Sequence, residues 1–427
     1  MSERIKSVCA RQIFDSKNRP IVEVDIVTET GILGRGSAST GTSVGMYEAS
    51  VMLDGEEKCF GGMSVYHAID NVNRIIGPAI VGMDIHDQEE IDAKMIELDG
   101  TANKSRLGGN AIYATSIANL KAAARAAHLP LYRYLAGREL ETLPIPTFNS
   151  INGGIYGDFC MGIQEFTFCP YKAESMAEAV EIAMKVFPMI GKVIGEYQKG
   201  RPAKVGHYYG WQPPTEDPVV TMELLHEAVL RCGVEKKVAY ALDCASSEVY
   251  DPQTNTYYMN GKNVDREEMI GFAKKMSEKY PFLYIEDLLD QNDWEGYQKA
   301  VREINQTILI GDDFIVTNQQ RLKRAYEEHA IGGFIFKPNQ VGTITESLQT
   351  HKFAREHGMI SVASQRGGGV IDDVVMDLCL AMEMPAVKNS APRSGERIYA
   401  CNMLYRAADE NPHAKLFDFD KLKKFKD

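Results

Sequence analysis

Five apolar runs in the second half of the chain each end in a polar or charged residue: 238–243 (Val-Ala-Tyr-Ala-Leu-Asp), 282–286, 307–312, 334–337 and 360–365. Their last residues, Asp243, Glu286, Asp312, Lys337 and Gln365, lie 43, 26, 25 and 28 positions apart, and Lys388, after Pro385-Ala-Val, follows 23 later. A strand, a helix and two loops take roughly that length, so the cadence is that of an α/β chain closing into a βα barrel. In such a barrel the C-terminal strand ends open into one mouth. The pattern therefore predicts that Asp243, Glu286, Asp312, Lys337, Gln365 and Lys388 converge.

Three carboxylates from three strand ends, with no His or Cys at the corresponding positions, make an all-oxygen donor set suited to Mg²⁺ rather than zinc. Taken singly, each acid reads as well as a helix cap or a salt-bridge partner; three at barrel spacing favour the metal. Lys337 and Lys388 in the same mouth admit two readings. An ammonium beside other cations has its neutral form favoured and becomes a general base near neutral pH. Alternatively, both lysines are salt-bridged to the carboxylates.

The first third reads as a small α+β unit. Residues 21–27 alternate as Ile-Val-Glu-Val-Asp-Ile-Val, Thr28-Glu-Thr-Gly31 supplies a turn, and Ile32 begins a return strand. Helical spacing follows over 89–98 and 111–127, the latter alanine-rich and suited to close packing. Gly137 and the two prolines of Leu143-Pro-Ile-Pro mark a linker near 137–145. This divides the chain into an N-terminal cap, 1–137, and a barrel, 138–427.

With 427 residues, 44% hydrophobic and 25% charged, the chain has the composition of a globular protein with a large core, not of a fibre or a disordered one. The net charge of −12 opposes binding to phosphate backbones. The one lysine cluster, Lys421, Lys423, Lys424 and Lys426, reads as a solvated end, so nucleic acid is not expected as a partner. Glu3, Arg4, Lys6 and Arg11 interrupt any signal-peptide core, and no apolar stretch has membrane-spanning length, so a cytoplasmic protein with no membrane partner is expected. Eight cysteines without a C-x-x-C pair fit reduced thiols.

Two glycine-rich stretches, 34–45 and 364–369, lack the Gly-Lys-Ser/Thr of a P-loop. The first reads as a mobile loop unless it cradles an anion. In the second, Arg366 stands between a strand end and three glycines, where its guanidinium and exposed backbone N–H groups would meet a phosphate.

Several motifs together carry a resemblance: Ala10-Arg-Gln-Ile-Phe-Asp-Ser16, Glu97-Leu-Asp-Gly-Thr101, Asn152-Gly-Gly154, Gln164-Glu-Phe166, Ile285-Glu-Asp287, Gly311-Asp-Asp313 and Asn339-Gln-Val-Gly-Thr-Ile-Thr-Glu346. Over essentially its full length the chain resembles the enolase (phosphopyruvate hydratase) family. The resemblance implies a modified (β/α)8 barrel with an N-terminal α+β capping domain, a homodimer or higher homo-oligomer, and reversible dehydration of 2-phosphoglycerate in glycolysis. It also implies one structural or conformational Mg²⁺ and one catalytic Mg²⁺ that joins with substrate. By the same resemblance Asp243, Glu286 and Asp312 match the ligands of the first ion, and Ser43 the loop serine that joins the second. Lys337 matches the base that takes the C2 proton and Lys388 the lysine that grips the carboxylate; Glu165 matches a catalytic glutamate and Arg366 the phosphate-binding arginine. Gln164, Ser364, Gln365 and Gly367 fall beside these as substrate-binding positions.

Three positions depart from the family pattern, all on the side that expels hydroxide. In Val205-Gly-His-Tyr-Tyr-Gly-Trp211 the family's glutamate is Tyr208, the family's histidine after Asn-Gly-Gly is Tyr156, and Ser-His-Arg-Ser has become Ser364-Gln-Arg-Gly367. A phenol, with an ordinary pKa near 10, can donate a proton but matches neutral pH less well than a tuned carboxylic acid. Tyr208 is thus a candidate replacement acid, with His207 beside it the alternative, while all three tyrosines of these loops would otherwise simply wall a pocket. Three functions are compatible with the sequence: a dehydrating lyase on 2-phosphoglycerate, an enolase-like transferase or lyase on a related phospho- or phosphono-carboxylate, and a binding homologue without turnover.

Overall fold

The computed structural model describes residues 2–42, 44–158 and 161–422. Ser43, Cys160, Lys423, Lys424 and Lys426 lie outside them.

The cap begins with an antiparallel meander, β1 (Ile5–Phe14), β2 (Pro20–Thr28) and β3 (Leu33–Ser37). Gly31, at φ +91°, supplies the left-handed position of the second turn. In the first turn the Asp15 carboxylate accepts the backbone N–H groups of Lys17 and Arg19 at 2.8 and 2.9 Å, fixing the direction in which both side chains leave. Helices α1 (Gln88–Asp99) and α2 (Gly109–Ala126) follow. The alternation of 21–27 is thus β2, and the alanine-rich run closes α2.

Only part of the stretch 34–45 is the loop its glycines suggested: the described residues from 38 to 45 lie outside helices and strands. Residues 34–37 belong to β3, and a Cβ on Gly34 or Gly36 would lie 2.0 Å from the Ala118 carbonyl or 2.3 Å from that of Ala114. These two glycines let the α2 backbone press directly onto the sheet.

The barrel comprises eight strands: β4 (Ile145–Asn152), β5 (Glu165–Cys169), β6 (Ala239–Asp243), β7 (Phe282–Glu286), β8 (Ile308–Gly311), β9 (Gly333–Phe336), β10 (Ile360–Ser364) and β11 (Ala386–Lys388). Six neighbouring pairs are parallel, but β5 runs antiparallel to both β4 and β6. The even βα cadence beyond β6 does not extend to this strand.

Alternate residues decide what faces the barrel axis. Ala239, Ala241, Tyr284, Ile308, Ile335 and Val362 form one small buried cluster, while their strand neighbours Leu242, Ile285, Leu309, Phe334 and Ala363 join the larger core. Continuing the first register one step past each apolar stretch arrives at Asp243, Glu286, Asp312, Lys337, Ser364 and Lys388.

Candidate active site

These residues meet at one barrel mouth and are nearly all buried. Lys388 Nζ lies 2.7 Å from Glu286 Oε2, 3.0 Å from Asp243 Oδ2 and 3.1 Å from Glu165 Oε2, and Lys337 Nζ hydrogen-bonds Asp312 Oδ2. Burial alone would depress both ammoniums; Asp312 beside Lys337, and Asp243, Glu165 and Glu286 around Lys388, outweigh it and hold them above the ordinary lysine range. The salt-bridged reading of the two lysines is therefore the arrangement seen. Burial raises the Glu165 and Glu286 carboxyls, whereas at Asp312 it is outweighed by Lys337, which keeps that carboxyl below its usual range.

Glu165 reaches the mouth because β5 is reversed: its first residue, not its last, pairs with Asp243. Asn149 donates to it at 3.0 Å, and Gln164 contacts Asp243 at 3.4 Å. A search confined to C-terminal strand ends would pass over Glu165.

Among the described residues, the group of three acids whose ligand atoms all lie within 4.8 Å of one another is Asp287, Asp312 and Asp313, which shares only Asp312 with the expected triad. The ammonium of Lys388 stands between Asp243 and Glu286 instead. Asp287 uses its oxygens to accept the N–H groups of Asp312 and Asp313 at 2.9 and 2.8 Å, so it ties two strand ends together. The expected triad still fits a hard cation: its donors are all oxygen, and buried Glu286 Oε1 has no hydrogen-bond partner. Ser43, expected on the loop, is not among the described residues.

The cap closes the mouth. Glu48 forms a bidentate pair with Arg366, at 2.8 and 3.0 Å, with both side chains 3% exposed. Gln340 donates to Asp312 at 2.8 Å and contacts Glu48 at 3.4 Å. The glycines after Arg366 serve this closure: the Gly368 amide donates to the Thr40 carbonyl and the Gly369 amide to Ser16 Oγ, so neither faces an anion. A Cβ on Gly367 would meet Thr42 Oγ1 at 2.5 Å. The predicted phosphate cradle is thus reduced to Arg366 and Gly367.

Thr42, Tyr156, Gln164, Glu165, Tyr208, Asp243, Lys337 and Lys388 line one cavity together with the loop from Ser364 to Gly367. Tyr156 and Tyr208 stack with ring centroids 4.5 Å apart. The Tyr208 hydroxyl accepts from Arg397 Nη2 at 3.1 Å and from Ser390 Oγ at 3.2 Å, and Arg397 Nη1 donates to Gln365 Oε1 at 2.7 Å. His207 is not brought in: its exposed ring pairs with Asp158, away from the cavity. Adjacent loop residues point apart, and Tyr208 takes the inner side.

Sequence reasoning did not single out Lys17, Thr42, Glu48 or Arg397. None sits at a strand end, and the first three belong to the cap. The doublets Glu286-Asp287 and Asp312-Asp313 were a legible signal for the extra acids.

The two-part architecture agrees with the comparisons to known proteins. Residues 5–135 match the family model described as "Enolase, N-terminal domain", and residues 140–424 that described as "Enolase, C-terminal TIM barrel domain". A protein named Enolase from Methanocaldococcus jannaschii is 40% identical over 412 residues, 96% of each chain. One from Methanococcus aeolicus is 38% identical over 411 residues, again 96% of each, and one from Methanopyrus kandleri is 38% identical over 410, covering 95% of this chain and 96% of its own. With both halves matched and nearly every residue aligned, the chain belongs to the enolase family.

Proposed function

We propose that this protein is a Mg²⁺-dependent lyase that reversibly dehydrates 2-phosphoglycerate to phosphoenolpyruvate. The observation that carries the reading is the placement of Lys337 and Lys388 beside three strand-end carboxylates on the axis-facing register of one mouth. Asp243, Glu286 and Asp312 would hold Mg²⁺, which would supply positive charge to offset the charge developing on the substrate carboxylate.

Lys337, in its neutral form, takes the C2 proton at Nζ. Lys388 holds the substrate carboxylate, with Glu165 fixing the ammonium. Arg366, already desolvated and oriented by Glu48, meets the phosphate bidentately. The stacked phenols of Tyr156 and Tyr208, with Gln365, form the wall facing the C3 hydroxyl and exclude water there. The burial of Lys388, Glu165, Arg366, Gln365 and the two phenols strengthens their electrostatics relative to water.

The reading includes two Mg²⁺ ions, one held by the strand-end triad and one arriving with substrate, and a homodimer, which rest on the family resemblance, and a cytoplasmic location, which rests on the charged N-terminal residues. Among the described residues no helix is long and apolar enough to cross a membrane. The domain division at 137/138 likewise follows Gly137, whose φ of +63° ends the helix Leu131–Ala136.

The test is proton NMR of the protein with Mg²⁺ and 2-phosphoglycerate in D₂O. Loss of the C2 proton signal together with growth of vinyl signals is expected. Exchange without vinyl product would move the reading to another fate of the deprotonated substrate, and neither signal would refute it.

A further inference from the structure

The hydroxyl side of the cavity lacks the family's glutamate, yet it is flanked by a cation whose donors are mostly unused. Lys17 stands on the β1–β2 turn, half-buried, with Nζ 5.4 Å from the Tyr208 ring centroid and 5.5 Å from that of Tyr156. Its one side-chain hydrogen bond among the described residues runs from Nζ to Thr42 Oγ1 at 3.1 Å, and no carboxylate pairs with it. The other ammoniums and guanidinium of the cavity wall are committed: Lys337 to Asp312, Lys388 to three acids, Arg366 to Glu48. Thr42 lines the cavity, so its hydroxyl connects Lys17 to the space where substrate would lie.

Resting on the 2-phosphoglycerate reading, we propose that Lys17 supplies the proton to the departing C3 hydroxyl, handed on by the Thr42 hydroxyl, while Tyr208 orients the leaving oxygen. Lys337 first takes the C2 proton and leaves the C–H electron pair delocalised onto the substrate carboxylate; that pair then becomes the second C2–C3 bond as the C3–O bond breaks with its electrons on oxygen. That oxygen takes the Thr42 hydroxyl proton, Thr42 takes one from Lys17, and water leaves. Lys17 ends neutral and Lys337 protonated, so the sum is loss of one water with no other reactant.

The environment suits a donor. Burial, with Arg19 and Arg397 adding to it and Asp15 opposing, lowers the Lys17 ammonium to about 8, close to the operating pH of a general acid. Arg397 and Ser390 both donate to the Tyr208 oxygen and so fix the phenol in the position from which it orients the leaving oxygen.

The experiment compares wild type, Lys17→Met, Lys17→Arg, Thr42→Val and Thr42→Ser in the same D₂O spectra, with thermal unfolding confirming that each variant is folded. Arginine keeps the charge but does not release a proton. Both Lys17 variants are expected to lose vinyl formation by about 10²-fold or more while C2 exchange persists, with Thr42→Val following them and Thr42→Ser retaining turnover. The wild-type dehydration rate is expected to fall as pH rises through about 8, where Lys17 becomes neutral, and that limb disappears in Lys17→Arg. The groups facing Lys17 are Asp15 and Arg19 from its own turn, Arg397 from the helix Gly395–Glu410, and the phenols of Tyr156 and Tyr208. Dehydration by Lys17→Arg at the wild-type rate overturns the proposal, as does loss of exchange and vinyl formation together in a folded variant. Absence of both signals in the wild type refutes instead the reading beneath it.

Discussion

Replacing Tyr208 by Phe separates the two candidate proton sources beside the two phenols, Tyr208 itself and Lys17. The change removes only the phenol oxygen, so the ring stack on Tyr156 at 4.5 Å remains. Lost are the acceptor of Arg397 Nη2 at 3.1 Å and of Ser390 Oγ at 3.2 Å. Arg397 is fully buried and its Nε already has no hydrogen-bond partner, although its Gln365 and Arg366 carbonyl contacts survive. Loss of one hydrogen bond from a buried charged donor is worth about 1.5–3 kcal/mol, and that is the expected fall in unfolding free energy. If the phenol only orients the hydroxyl, dehydration falls by about tenfold, equal to about 1.4 kcal/mol of barrier. If it were the proton source, the fall would be about 10²- to 10⁴-fold with C2 exchange intact. Urea unfolding measures the first quantity and D₂O proton NMR the second. A hundredfold loss of vinyl formation with exchange retained would refute the assignment of the proton to Lys17.

Glu48→Ala is expected to cost about 3–5 kcal/mol in urea unfolding, because it removes the carboxylate that faces a guanidinium only 3% exposed; an unchanged midpoint would show that this pair does not hold cap to barrel. Mg²⁺ at about 100 times its Kd should raise unfolding free energy by about 2.7 kcal/mol, and Glu286→Gln with Asp243→Asn should abolish that gain if these residues are ligands. Lys337→Ala should eliminate C2 exchange, and exchange at the wild-type rate would remove Lys337 as the base. His351, buried with Nδ1 on Ser361 Oγ at 3.0 Å, is lowered to about 4 by burial and by Arg355. Since an unfolded histidine titrates near 6.5, the unfolded chain binds a proton that the folded one refuses, so stability falls as pH drops from about 6.5 toward 4, by about 3 kcal/mol in all. His351→Gln should flatten that limb of the urea midpoint against pH.

How much of the site was legible follows from how each residue is placed. Asp243, Glu286, Asp312, Lys337 and Lys388 were readable because an apolar run reports its own strand, and the axis-facing register then carries one step further. Glu165 was readable only through resemblance, since its strand runs backwards and the cadence contains no sign of direction. His207 and Tyr208 were indistinguishable as neighbours until the loop conformation turned one outward.

From sequence alone came the α/β class, the barrel cadence, the cap meander and the family, because periodicity and motif spacing are local properties of the chain. Tertiary structure alone decided that Glu48 pairs with Arg366 318 positions away, that the glycines of β3 and of 368–369 admit close packing rather than an anion, and that Lys17 overlies the two phenols. Such contacts depend on how separate elements pack, and a desolvated ion pair or a half-buried ammonium takes its chemistry from neighbours that no local pattern names.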